Sequence, residues 1–193
     1  FLLLFENIRP VGSFLDNKRV VLVAAPHQSG KDEYLMILII LALDVDVCYL
    51  SAKWTMRRIP NPFEKSKDID NQGIRWPLGW LQEIIFRKFG AIPVDRKGNS
   101  GQYNSVIEEL KKRDSFLLIV TPEGRFDATR FRTSFLFIAK ELDAEVMPVQ
   151  IDYENEIFNI LESFNIEGDT ESVVKNLRLK FDGIKGKKSR FKA

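Results

Sequence analysis

A single histidine lies in the short polar segment Ala25-Pro26-His27-Gln28-Ser29-Gly30-Lys31-Asp32. Imidazole takes and returns a proton near neutral pH, and a carboxylate at the ring fixes its tautomer and favours the imidazolium. Asp32, five residues on, is such a carboxylate. Two further segments carry reactive types. Ile92-Pro93-Val94-Asp95-Arg96-Lys97-Gly98 presents two cations beside a glycine, and Pro122-Glu123-Gly124-Arg125 sets a carboxylate near a guanidinium. Arginine grips phosphate through a bidentate fork. A His–Asp pair beside Arg96, Lys97 and Arg125 therefore suits a division of labour. The cations hold a phosphate while the imidazole, as general base, draws a proton from a nearby hydroxyl. Each group also has a structural alternative. A lone histidine often only packs, Arg96 and Lys97 suit a solvated turn, and Glu123 could pair with Arg125 to shape its loop.

What raises the functional reading is placement. The apolar run Val20-Val21-Leu22-Val23-Ala24 reads as a buried strand, and Tyr34 to Leu43 as a helix, so His27 falls where a strand hands over to a helix. Candidate strands are Arg19–Ala25, Asp46–Leu50, Ala91–Val94, Ser115–Val120 and Glu145–Ile151. Helical spacing joins Leu78, Leu81, Ile84, Ile85 and Phe89, and again Tyr103, Val106, Ile107 and Leu110, with Glu108, Glu109, Lys111 and Lys112 facing away. Thr133 to Leu142 is a third helix. Ile157–Phe164 reads as a further strand, and Asp169 and Thr170 as the cap of a last helix carrying Val173, Val174 and Leu177. Pro60 to Gly73 reads as a loop. Strands alternating with helices predict a single α/β domain with a mostly parallel central sheet flanked by helices. All three reactive loops then leave the same sheet edge, where such sheets carry their chemistry.

Composition narrows the classes. Among 193 residues the net charge is +2, which provides no global field for nucleic acid. The one cysteine, Cys48, lies in an apolar run and reads as a buried hydrophobe, so disulfides play no part. The longest apolar run, about ten residues, falls short of the roughly 20 a bilayer span needs. Gly30-Lys31 after a strand imitates a phosphate-binding P-loop. The full motif needs Gly where Ala25 stands and Ser or Thr where Asp32 stands, so a nucleotide-binding protein ranks last.

His27-x4-Asp32, Ile92-Pro93-Val94-Asp95-Arg96, Pro122-Glu123-Gly124-Arg125 and Val146-Met147-Pro148-Val149 together resemble the four ordered blocks of the glycerophospholipid acyltransferases, the family that includes 1-acylglycerol-3-phosphate acyltransferase. Trp76-Pro77-Leu78-Gly79-Trp80, Phe131-Arg132-Thr133 and Ile138-Ala139-Lys140 share the family's look. The third block lacks the family's usual Thr between Gly and Arg, and Ser134 stands where a Gly is common. The resemblance implies a glycerol-phosphate acyltransferase-like fold and acyl transfer from acyl-CoA or acyl-carrier protein, as co-substrate, to a hydroxyl. His27 would be the base and Asp32 its orienting acid. Arg96, with Lys97 beside it, and Glu123, Gly124 and Arg125 would form the phosphate side of the acceptor pocket. Pro148 would shape the acyl side. No metal and no other cofactor is implied. The expected partners are the acyl donor and a lipid or phosphorylated acceptor, with peripheral membrane contact, cytoplasmic location and a role in phospholipid biosynthesis. On this reading residues 1–18 are an apolar, membrane-proximal segment, 19–182 the acyltransferase domain, and 183–193 a basic tail. A non-catalytic lipid-binding relative of the same fold is the alternative.

Overall fold

The computed structural model describes residues 18–27, 46–53, 56, 78–94, 102–123 and 131–186. Within them the chain runs β1 (Arg19–Ala25), β2 (Val47–Ala52), α1 (Leu78–Lys88), β3 (Ala91–Val94), α2 (Gln102–Lys111), β4 (Phe116–Val120), α3 (Ser134–Glu141), β5 (Glu145–Asp152), β6 (Ile157–Ile160) and α4 (Thr170–Phe181). The six strands form one sheet in the order β3-β2-β4-β1-β5-β6. The first five are parallel and β6 returns antiparallel. The expected α/β class and mostly parallel sheet are therefore observed. The helix expected over 34–43, the loop over 60–73, the segment 1–17 and the tail beyond 186 lie outside the described residues.

β1 is apolar without alternation because it is covered on both faces, as central parallel strands are. Val21, Val23 and Ala25 face one apolar layer, and Val20, Leu22 and Ala24 the other. The first layer is closed by helices. Val106, Ile107 and Leu110 of α2, Phe135, Leu136, Ile138 and Ala139 of α3, and Val173, Leu177 and Phe181 of α4 all pack into it. This sidedness follows from handedness. The crossovers β3→β4 and β4→β5 step across the sheet in the same direction, so right-handed connections put α2 and α3 on the same face. The crossover β2→β3 steps the other way, and the same rule assigns α1 to the opposite face, where it packs against β3.

Local chemistry sets the ends. Asp169 caps α4 by accepting from the Ser172 amide at 2.9 Å, as its sequence position predicts. The α1–β3 turn is closed by Gly90 at φ +81°. Its carbonyl accepts from Tyr49 N, and a Cβ there would lie 2.0 Å from the Val47 carbonyl oxygen. β2 begins one residue later than expected and runs on to Ala52, because Leu50 to Ala52 pair with Ile92 to Val94 of β3. β6 is shorter than expected. Its ladder with β5 ends at Val149–Ile160, and the Val146–Phe164 bridge resumes with one extra residue on the β6 side, a bulge. Pro148 sits opposite that bulge. Its carbonyl accepts from Leu161 at 2.9 Å, and its missing N–H falls where the ladder is already interrupted.

α1 departs from expectation in one respect. Of the predicted stripe Leu78, Leu81, Ile84, Ile85 and Phe89, Ile84 is half-buried and the other four face outward, and Trp80 and Phe89 are 62% and 64% exposed. The helix is amphipathic as read, but its apolar side is not the side laid on the sheet. Among the described residues no helix is long and apolar enough to cross a membrane.

Candidate active site

β1 and β4 are neighbours, yet the chain leaves them in opposite directions. After β1 it steps to β2, and after β4 it steps to β5 on the other side. That divergence is the topological switch point, where an α/β sheet opens a crevice at the carboxyl ends of its strands. Val23 of β1 pairs with Val120 of β4, which brings both strand ends to one level. His27 follows β1 by two residues and Glu123 follows β4 by three.

The two residues meet. Glu123 Oε1 accepts a hydrogen bond from the backbone N–H of His27 at 3.0 Å. His27 is 7% exposed and Glu123 1%. A buried carboxyl group is tolerated when it is hydrogen-bonded. The turn that carries Glu123 is itself anchored, because Arg132 N donates to the Pro122 carbonyl at 2.8 Å. Next to Arg132, Phe131 packs edge-on to Phe135 and beneath the Arg178 guanidinium, 5.7 Å from its ring centroid. The site edge is thus fixed to the helical layer.

Pro148 lies in β5 beside Val23, four residues before His27, and is buried. β3 ends at Val94, at the same sheet edge. Asp32, Arg96, Lys97, Gly124 and Arg125 lie outside the described residues. Of the named site residues, the described structure brings together His27 and Glu123, and sets Pro148 on the adjoining strand. The acid found against the histidine segment thus comes from the neighbouring strand, 96 residues away. The sequence holds one signal for it, a carboxylate just past a predicted strand, but strand order was needed to know which strand adjoins β1.

The chain's one thiol is not a competing nucleophile. Cys48 is buried within the sheet, its Sγ donates weakly to the Leu117 carbonyl at 3.6 Å, and burial pushes its pKa up to about 12. Among the described residues no group of three His, Cys, Asp or Glu side chains could hold a metal ion.

Neither a curated protein nor a solved structure gives a significant match to the chain. A family model does, and it spans 75–152, a stretch that takes in α1 through the last residue of β5 and includes the second, third and fourth of the four blocks, but not His27 or Asp32. Its description is Acyltransferase, and the match supports acyl transfer in general.

Proposed function

We propose that the protein moves a fatty acyl group from acyl-CoA or acyl-carrier protein to the hydroxyl of a glycerol-phosphate or lysophospholipid-type acceptor, in the manner of 1-acylglycerol-3-phosphate acyltransferases. The observation that carries the reading is the position of the only imidazole: at the switch point, buried, on a loop tied to the adjacent strand end. The acyltransferase family match lies downstream of it, at residues 75–152.

His27 removes the acceptor hydroxyl proton as the alcohol oxygen attacks the thioester carbonyl. The tetrahedral intermediate collapses with cleavage of the carbon–sulfur bond. The departing thiolate takes the proton from the imidazolium, leaving ester, free thiol and neutral histidine. Asp32 orients the ring. Arg96, Lys97 and Arg125, with Gly124 giving backbone room, hold the acceptor's phosphate, and Pro148 bounds the acyl side. No covalent acyl-enzyme is needed, in keeping with the inert thiol. Peripheral contact with a membrane belongs to the same proposal. The outward stripe of α1 supports it, since a contiguous exposed apolar face commonly marks an interaction surface.

Thiol release from acyl-CoA and acyl-carrier protein, measured across a panel of phosphorylated and lipid acceptors, tests the proposal. Turnover that needs an acceptor and disappears in folded His27→Ala supports it. Absence of turnover with every donor points to the lipid-binding alternative.

A further inference from the structure

We infer that Glu123 is a positioning residue, whose buried carboxylate holds the His27 loop at the switch point and does not touch the acceptor. The inference rests on His27 being the general base. Three observations carry it. Glu123 is almost wholly enclosed, so it offers no surface for a substrate to meet. Its hydrogen bond goes to the main chain of His27 and fixes where that residue leaves the sheet. Pro26 has no N–H, which makes the His27 amide the first main-chain donor beyond β1. A buried amide requires an acceptor. On the β4 side the ladder has already ended, its last pair being Val23–Val120, and there the Glu123 side chain fills that role from beyond the adjoining strand.

The arrangement joins the two halves of the proposed site. Glu123 directly precedes Gly124 and Arg125, so the segment assigned to the acceptor's phosphate also anchors the base. A misplacement of the base by about 1 Å can lower turnover about 100-fold without weakening substrate binding.

The chain has one histidine, so ¹⁵N-histidine labelling gives a single main-chain amide signal, readable without activity. In Glu123→Ala that signal is expected to move and exchange faster with solvent. The kcat is expected to fall about 10- to 100-fold with acceptor KM nearly unchanged. Glu123→Gln retains a carbonyl acceptor and should recover most of the turnover. Three results would overturn the inference: an unmoved amide signal in folded Glu123→Ala, full kcat in that variant, or a rise in acceptor KM at constant kcat. If Glu123→Ala does not fold, Glu123→Asp, which keeps the carboxyl group but draws the acceptor back by one methylene, carries the same comparison. Retained turnover in His27→Ala is a separate failure. It removes the general-base reading while the amide signal still reports the bond.

Discussion

The two ends of the central strands are built from the same residue types to opposite effect. At the amino-terminal edge, charges meet in the open. Lys18 pairs with Glu145 at 2.9 Å, Arg113 with Asp46 at 2.8 Å, and Arg19 donates to the Arg113 and Leu142 carbonyls. Such pairs compete with water and contribute roughly 0–1 kcal/mol each. At the carboxyl-terminal edge a carboxylate is enclosed and bound to a main-chain amide across two strands. Water cannot readily replace the partner there, and losing it leaves a buried donor unsatisfied, at about 1–3 kcal/mol. Charge by itself therefore does not distinguish a site from a surface. Enclosure at a strand divergence does.

Substitutions at the two edges should separate accordingly. His27→Ala should lower kcat about 100- to 10,000-fold, the range of a lost general base, while its thermal midpoint stays near wild type. If activity survives, the carboxyl-terminal edge loses its special status. Gly90→Ala, at the opposite edge, should show the reverse pattern. Its Cβ meets the Val47 carbonyl in a left-handed conformation, so stability should fall by more than about 1 kcal/mol with turnover per folded molecule preserved. Chemical denaturation and single-point kinetics on the same preparation would read both.

A smaller effect is expected at Glu145. The Ser163 hydroxyl and then the Lys18 ammonium hold its carboxyl below the ordinary value of 4.5. A group depressed on folding stabilises the fold above its unfolded value and loses that contribution as pH falls through the folded one. Glu145→Gln should thus be less stable than wild type at neutral pH, and the gap should close in acid below pH 4.5. A gap that widens in acid would reverse the assignment. Smallest of all, Arg113→Ala should change stability by no more than about 1 kcal/mol and lose even that difference in high salt.

Much of this organisation is legible in the chain itself. β1 and β3 begin and end where their apolar runs do, since Pro, Gly and charge bound them. α2 and α4 bury the faces that their 3.6-residue spacing marks, and Asp169 caps as its type requires. Spacing reports that a helix has an apolar side but not which neighbour will cover it. That is why Leu81 and Ile85 of α1 could be assigned to a face and still turn out exposed. The bulge that shortens β6 depends on pairing with Pro148, a property of two strands together. At the site, residue type identified His27 and Glu123 as chemically able. That the carboxylate would seek a main-chain amide, and across which strands, depended on the order of the sheet.

The bond between His27 and Glu123 spans 96 residues. It cannot close until β4 lies beside β1, and β2 and β3 both precede β4 in the chain. A chain emerging from the ribosome would thus hold the His27 amide without this partner until most of the sheet had assembled. Pairings of such long range are slow to form, so the segment that carries His27 would reach its final place late in folding.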